Sequence, residues 1–417
     1  MKSAHSRLSV ISWALYDWAN SAFSLTVVTA FVPVLLAQYW NDGAASTVTT
    51  FRLGWANALA SLVIALIAPI IGAIADRASH RKGLLLVFAA LGVVMTGALF
   101  FVAQGQWFIA VALYVFASIG FAGSNSLYDA LLIAVSAEED FDRISALGYA
   151  YGYLGGALLF TLNVLMVANP GWFGLASDVE AVRLAFLLVA IWWAVFSIPL
   201  LLFVQEDRTA AQSVAHSVVD GLRQLKKTLA KVRSHRDTVV FLLAYWLYID
   251  GVYTIIKMAV DYGLSQGLNM DDLIQAVLIT NYIGFPAALA FGAFGARFGA
   301  KRGIILALCV YLLATTMAPF INTEAEFYAL AIAIGLVQGG VQSLSRSLFA
   351  RLIPVGQTAE FFGFYNMLGK FAAILGPALA GVVALATGSQ RIGILSIIVL
   401  FIAGLAVLTR VRVQPAA

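Results

Sequence analysis

The sequence has little charge. Of its 417 residues, 11% are Asp, Glu, Lys or Arg and 62% are hydrophobic, and the mean hydropathy is +0.91. A soluble globular chain carries about 25% charged and about 45–50% apolar residues. So few charges cannot cover a water-facing surface. The composition therefore excludes a soluble globular protein and predicts an all-α integral membrane protein.

Residues that bind metals or form disulfides are also scarce. Cys309 is the only cysteine and lies in a hydrophobic run, so neither a disulfide framework nor a cysteine metal site can form. The four histidines, in terminal or loop segments, lack metal-ligand spacing, and no phosphate-binding Gly-x-x-x-x-Gly-Lys-Ser/Thr loop is present. We therefore predict that the chain is not an enzyme and has no catalytic residues, metal or cofactor.

The apolar residues form twelve long runs. About 20 residues cross a hydrocarbon core of about 30 Å, and twelve such helices fit a chain of this length with short loops. We predict an N-terminal six-helix bundle over 1–204, a cytoplasmic linker with a possible amphipathic helix over 205–236, and a C-terminal six-helix bundle over 237–417. The predicted spans are 10–39, 51–75, 83–103, 107–135, 144–168, 183–204, 238–262, 272–296, 303–321, 325–350, 360–387 and 392–409.

The net charge of +4 reflects basic residues at the ends of these runs. In that position they orient spans, so we predict membrane lipids as partners and no nucleic acid. Alternate connections are rich in Lys and Arg, whereas the opposite set has only Arg52, Arg183 and Arg391 and is otherwise neutral or acidic. The positive-inside rule then predicts a multi-pass protein with both termini cytoplasmic, in the inner membrane if the source is bacterial.

The chain repeats itself after 220 residues. Residues 72–82, between the second and third predicted spans, match residues 292–302, between the eighth and ninth. Parallel repeats of six helices are an architecture in which a substrate binds near the midplane, between the halves.

The first copy of the repeat resembles the signature loop of the major facilitator superfamily. The resemblance implies a cytoplasmic gate in which a glycine allows close helix approach, an aspartate faces the positive N-terminus of another helix, and basic residues pair with carboxylates. Ser79 replaces the usual glycine, and Ala296 stands where the second copy would have its aspartate, so we expect a weaker second latch. The gate residues are Gly72, Asp76, Arg77, Arg81 and Lys82, to which we add Asp129.

Further motifs resemble the vacuole-effluxer-like branch of the superfamily. They are residues 16–23, 247–251, 339–347, 360–365 and 369–370. The resemblance implies a transporter with twelve helices in two bundles. The best-known fungal members of this branch export amino acids from the vacuole.

Polar residues recur on one face of several predicted spans. Charges inside a membrane are costly and usually face a cavity or a partner. These residues gather mainly on spans one, four, seven and ten, the helices that line the cavity in the superfamily, with more on span eleven. The candidate substrate or coupling residues are Asp17, Asn20, Ser21, Ser24, Asn125, Asp250, Thr254, Lys257, Gln338, Gln342, Asn366 and Lys370.

Asp250 and Lys370 carry two open interpretations. Either they hold the amine and carboxylate of a zwitterion or exchange protons, or Asp250 forms a permanent ion pair with Lys257 or Lys370. We expect Asp129 to act in a gate near the Arg81 region. Arg346, at the inner edge, is interpreted as a topology anchor, with snorkelling as the alternative.

The sequence therefore predicts a monomeric secondary transporter of a small solute. An amino acid or another small metabolite is the predicted substrate, and protons or sodium are the predicted coupling ion. The alternatives are a lipid-acting membrane protein and a membrane-embedded sensor or scaffold.

Overall fold

A computed structural model describes residues 6–41, 43, 46–78, 80–206, 235–353 and 357–412. Twelve helices in this part of the chain are long and apolar enough to cross a bilayer, which confirms the predicted fold class. Helices predominate because the bilayer core has no water to form hydrogen bonds with backbone N–H and C=O groups, and a helix pairs these groups internally. We number them α1 to α12 in chain order: Arg7–Trp40, Phe51–Asp76, Arg81–Phe101, Trp107–Ala130, Glu138–Ala168, Asp178–Phe203, Arg236–Val260, Met270–Phe298, Ala300–Phe320, Glu324–Leu352, Thr358–Thr387 and Gln390–Thr409.

The predicted spans overlap all twelve helices, with differences at their ends. The fifth was predicted to begin at residue 144, but α5 begins at Glu138 with a short 3-10 turn that leads into the α-helix at Phe141. Continuous helix around two of the spans extends further, over Ser46–Ala78 and Arg236–Ser265. The predicted amphipathic linker helix lies outside the described residues. Below, the first half means residues up to 206 and the second half residues from 235.

The surface of the described part is apolar, as a lipid-facing surface must be. Leu385 is 87% exposed, Phe101 is 73% exposed and Phe108 is 69% exposed. These side chains would be unfavourable in water and are favourable in hydrocarbon.

The internal repeat is visible in the helix boundaries. The helix containing α2 ends at Ala78 and α8 ends at Phe298, so these ends are 220 residues apart. The next helices begin at Arg81 and Ala300, only 219 residues apart, because the second loop is one residue shorter. Each is an 18-residue α-helix followed by a three-residue 3-10 turn.

A lysine after each of these loops ties two helices together. Lys82 Nζ donates to the carbonyl of Val204 at 2.8 Å, just beyond the end of α6. Lys301 Nζ donates to the carbonyls of Thr409 and Val411, both at 2.8 Å, at the end of α12. The repeat thus preserves a lysine that binds carbonyls at a helix C-terminus, where a cation is favoured.

The connections at the end opposite the termini carry helix caps. Ser177, Asn269 and Thr323 each accept a backbone N–H with their side chain at the start of α6, α8 and α10, and Thr323 forms a capping box with Glu326. Acidic residues follow in each first turn, where the helix dipole favours them. The acidity of these connections therefore has a local helical cause in addition to sidedness.

The three arginines at that end are also bound. Arg52 stacks 3.6 Å from the centroid of Trp107, and Arg183 Nε donates to the carbonyl of Phe100 at 2.9 Å. Arg391 Nη2 donates to Asn322 Oδ1 at 2.8 Å. Each exception to the charge bias therefore joins two connections or helix ends.

Close glycine contact holds α4 against α3. A Cβ placed on Gly120 would lie 2.6 Å from the carbonyl oxygen of Phe88 and 2.8 Å from Cα of Gly92. These neighbours are backbone atoms and cannot rotate away. Gly381 on α11, by contrast, has no such neighbour within 4 Å.

We expect Gly120→Ala to destabilise the protein by about 1–3 kcal/mol, because overpacking must separate two helix backbones. Thermal unfolding of the purified protein in detergent measures the change. Gly381→Ala is the matched control and should keep or raise Tm, since alanine has the higher helix propensity. Equal Tm values for the two variants would contradict the close contact.

Candidate functional site

The signature loop holds α2 against the start of α11. The Asp76 carboxylate accepts the backbone N–H groups of Ala359 at 3.0 Å and Glu360 at 2.8 Å, and it forms an ion pair with Arg81 at 2.7 Å. A carboxylate at a helix N-terminus is favoured by the unpaired N–H groups and the helix dipole. A Cβ on Gly72 would lie 2.8 Å from Cα of Glu360. Glycine thus permits the approach that the carboxylate stabilises.

The other basic residues of the loop differ in their surroundings. The Arg77 side chain lies outside the described part. Lys82 binds within its own half: besides the carbonyl of Val204, its backbone N–H donates to Glu206 Oε1 at 2.5 Å. Glu206 follows α6, and its burial raises the pKa of that carboxyl. Lys82 therefore braces the first half and does not bridge the two.

Arg346 on α10 bridges the halves, and its interpretation as a topology anchor is wrong. Its side chain is 1% exposed and forms an ion pair with Asp129 of α4 at 2.8 Å. Its Nε and Nη2 donate to the hydroxyl and carbonyl of Ser145 on α5, at 2.9 and 2.8 Å. Its position in the sequence suggested that Arg346 lies at the membrane edge, but residues of the first half bury its guanidinium.

Three aromatic rings of the first half surround the Arg346 guanidinium. Its carbon lies 4.4 Å from the ring centroid of Tyr149, 5.0 Å from Trp13 and 5.3 Å from Tyr128. Trp13 and Tyr128 stack on each other at 4.5 Å. Cation–π attraction strengthens when the cation is desolvated, so the rings offset part of the cost of burial.

The sequence suggested that Asp129 acts near the Arg81 region, but in the structure Asp129 pairs with Arg346. Its second oxygen accepts Nδ2 of Asn366 on α11 at 3.0 Å. Asp129 is thus bonded to two helices of the second half.

A second ion pair lies closer to the end that carries the termini. Asp142, in the first α-helical turn of α5, pairs with Arg351 at 2.8 Å and accepts the hydroxyl of Ser347. Asp142 packs against Gly295 on α8, next to Ala296. The weaker second latch stays a prediction, while α5 supplies a carboxylate next to the position where α8 lacks one.

Asp17 lies beside the Arg346 pocket in the first half. Its carboxylate is partly buried and accepts the hydroxyls of Ser21 at 3.3 Å and Tyr128 at 3.4 Å. One turn further on, Asn20 donates to Asn125 on α4 at 2.8 Å, and Ser24 is partly buried. Among the described residues, Asp17 forms no ion pair.

The helix that carries Asp17 changes its winding directly after these residues. Arg7–Ala22 is α-helical, whereas Phe23–Phe31 is π-helical. π-helical turns are rare and are frequently found at functional sites. Ser24 thus lies at the start of the widened segment.

Asp250 on α7 binds the backbone of α11. It is 1% exposed, and Oδ1 accepts the N–H of Gly376 at 2.8 Å, while Oδ2 has no hydrogen-bond partner. Thr254 donates to the Asp250 carbonyl at 2.6 Å. In the described part of the chain, Asp250 has no ion pair with Lys257 or Lys370. The structure therefore contains neither fixed pair.

Neither lysine forms an ion pair in the described part of the chain, although Lys257 lies close enough to Asp250 to interact electrostatically. Lys370 on α11 is partly buried and points its Nζ at Phe121 on α4, 6.0 Å from the ring centroid. Lys257 is exposed and close enough to Lys370 to interact electrostatically. Lys370 thus places an ammonium group between the halves.

Tyr153 on α5 joins the halves at mid-depth. Its hydroxyl donates to Gln342 Oε1 on α10 at 2.7 Å, and its ring packs against Gly284 and Gly339. Gln338 is partly buried nearby on α10. These contacts place both predicted glutamines at the interface between the halves.

Sequence reasoning missed one polar face of α5. Asp142, Ser145, Tyr149 and Tyr153 follow one another at intervals of three or four residues, and all four contact α10. That spacing defines one face of a helix and was the signal available.

The fold and these contacts define a class of protein. The structure of the human organic anion transporter MFSD10 (TETRAN) superposes with a TM-score of 0.74 at 16% identity over 96% of this chain and 99% of that one. A structure of the E. coli fucose:proton symporter FucP gives 0.72 at 13% identity over 98% of this chain and 100% of that one. The fold is that of the major facilitator superfamily.

The sequence places the chain within that class. "Uncharacterized MFS-type transporter YxiO" of Bacillus subtilis (strain 168) is 35% identical over 399 residues, covering 95% of this chain and 93% of the relative. Residues 43–417 match the family described as "Vacuole effluxer Atg22 like". The chain belongs to this family, and it is a multi-pass transporter of the major facilitator type.

We expect Gly72→Ala to open the contact between α2 and α11, because a Cβ has no room against Glu360. In a Cys309→Ser background, alkylation of Ala359→Cys reports the change, since residue 359 is 1% exposed in the closed contact. Gly83→Ala is the control, because its Cβ would have no neighbour within 4 Å. Equal alkylation in both variants would contradict the latch.

We expect Asp250→Ala to lower stability by about 1–3 kcal/mol, because the buried N–H of Gly376 loses its acceptor. Asp250→Asn keeps a carbonyl acceptor and should retain most of the wild-type Tm. Thermal unfolding in detergent compares the two. If Asp250→Asn is as unstable as Asp250→Ala, the charge itself is needed for folding.

Proposed function

We propose that the chain is a secondary transporter that moves a small carboxylate-bearing solute, first of all an amino acid, by alternating access. The observation that carries the proposal is Lys370: it places its ammonium between the halves, near Lys257, and it forms no ion pair in the described residues. A charge inside a membrane needs compensation, and an anionic solute group can supply it.

Asp17 is the better acceptor for the ammonium group of a zwitterion. Asp250 is 1% exposed and bound to the backbone of α11, whereas Asp17 is only partly buried and holds two long hydrogen bonds. A carboxylate with weak partners can exchange them for a ligand at small cost. The proposed site therefore joins Asp17 of the first half to Lys370 of the second, which requires both halves for binding.

The inter-half contacts support alternating access. The ion pairs and the Asp76 latch all lie toward the end of the bundle that carries Arg7 and Arg412, while the glutamine contact lies at mid-depth. With both termini cytoplasmic, as the Lys and Arg bias favours, this state is closed to the cytoplasm. A carrier in this state loads its solute from the opposite side, and an ion gradient drives the cycle.

We expect proteoliposomes with purified protein to show gradient-dependent flux of a labelled amino acid when the amino acids are tested one by one. Lys370→Gln should reduce the flux at least about tenfold, since one unpaired charge contributes about 1.4 kcal/mol or more to solute binding. Arg302→Gln is the control, because that cation is exposed and lies at the start of α9.

Simple carboxylates are the second set of labelled solutes. If only these solutes are transported, the proposed anion site at Lys370 stands, and the proposed role of Asp17 in binding an ammonium group is rejected. Absence of flux for both sets, or a fully active Lys370→Gln, would overturn the proposal.

A further inference from the structure

The hydrogen-bond partners of Asp129 all belong to the second half. Arg346 donates from α10 at 2.8 Å and Asn366 donates from α11 at 3.0 Å, one to each carboxylate oxygen. Asp129 itself is on α4 in the first half. Any motion that separates the halves at this end therefore removes both donors together.

The remaining neighbours cannot replace that lost charge. Among the residues that the structure describes, the charged and titratable side chains that interact electrostatically with Asp129 are Asp17 on α1, Tyr128 on α4, Tyr149 on α5, Tyr253 on α7, Arg346 on α10 and Tyr365 on α11. Arg346 is the one cation in this set, and tyrosines are neutral near pH 7. After separation, Asp129 is left with uncharged groups and with the like charge of Asp17.

We propose that Asp129 is a proton-binding switch at the end that carries the termini: it takes up a proton from the solution on that side when Arg346 withdraws, and the bound proton keeps this end open. This inference rests on the alternating access of the proposed function. In the closed state the carboxylate is occupied by Arg346 and Asn366, so a proton must compete with both. In the open state a proton binds a carboxylate oxygen and neutralises the charge, while the guanidinium stays protonated and meets water.

The return step runs in the opposite order. Arg346 re-enters its aromatic pocket at the least cost when Asp129 is ionised, because Asp129 is its ion-pair partner among the described residues and a buried cation facing a neutral acid is costly. Closure therefore returns the proton from Asp129 to the solution on the side of the termini, from which it came. Proton binding and closure at this end exclude each other, so the pH on the side of the termini sets the balance between the closed and open states. The step itself carries no proton across the membrane.

Asp142 provides an internal comparison. It also loses its partners in the second half, Arg351 and Ser347, when the halves part. However, it lies in the first α-helical turn of α5, beside exposed Arg143, where water and a cation are at hand. We therefore assign it a latch without a proton.

The test measures the separation of the halves as a function of pH. In a Cys309→Ser background, spin labels at residues 139 and 297, exposed positions on α5 and α8, report the distance by double electron–electron resonance in lipid nanodiscs and leave Arg143 in place. Lowering the pH from about 8 to about 5 should increase the open population, by up to about tenfold per pH unit for one linked proton.

Asp129→Asn mimics the protonated state, so it should be open at every pH and should lose the response. Asp142→Asn, the matched control, should also be more open but should keep the pH response. Asp17→Asn should keep the response with its midpoint at lower pH, because the repelling charge is gone. A wild-type distance independent of pH, or an unchanged response in Asp129→Asn, would overturn the inference.

This measurement separates the inference from the proposed function. It needs no solute, so a pH-dependent distance without flux in proteoliposomes would keep the proton site and reject solute transport. Flux together with a pH-independent distance would keep the transporter and reject Asp129 as the proton site.

Discussion

The closed arrangement depends on one cation of the second half placed inside the first. Arg346 is 1% exposed, and its ion pair with Asp129 is enclosed by three aromatic rings and by Ser145. Burial of two charges is costly and is offset only by full hydrogen bonding, so removing one partner of such a pair costs about 3–5 kcal/mol. The pair is therefore less a source of stability than a condition that the two halves meet in one register.

The contacts around this pair are unequal in kind. On one side, Asp76 uses backbone N–H groups at the N-terminus of α11, which only a substitution to proline would remove. On the other, Asp142 uses the side chain of Arg351. Two repeats that share a helix pattern have thus reached closure by different chemistry. The repeat is therefore seen in the helix lengths and boundaries, whereas the polar contacts differ between the two halves.

Much of the fold could be predicted from the sequence because hydrocarbon thickness constrains it. Twelve apolar runs became twelve helices, and the duplicated loop was visible as a residue match. The partners of buried polar groups could not be read in the same way. Arg346 was assigned to the membrane edge because a hydropathy profile indicates where a residue lies along its helix. The profile does not indicate which residues of other helices contact that residue. Asp250 accepts a hydrogen bond from a backbone N–H of α11, and no pattern of side chains in the sequence indicates such a partner.

The candidate site shows the same limit. The polar faces of α1 and α10 were recognisable from spacing, and the structure brings Gln342 to Tyr153 and Asn366 to Asp129. Which residues stay bound and which remain available depends on tertiary neighbours. The acidic connections had a second cause, the caps of α6, α8 and α10, that a charge count alone does not distinguish from sidedness.

The hydrogen bond between Glu206 and the backbone of Lys82 has a mechanical consequence. Glu206 lies where the chain leaves α6 toward the second half, and Lys82 lies in the first turn of α3, directly after the signature loop. The stretch of chain that connects the halves is therefore fastened to the loop that latches them. A displacement of Glu206 reaches the first turn of α3 through this bond, and one of Val204 reaches it through Lys82 Nζ, so the position of the chain after α6 and the engagement of the latch are linked.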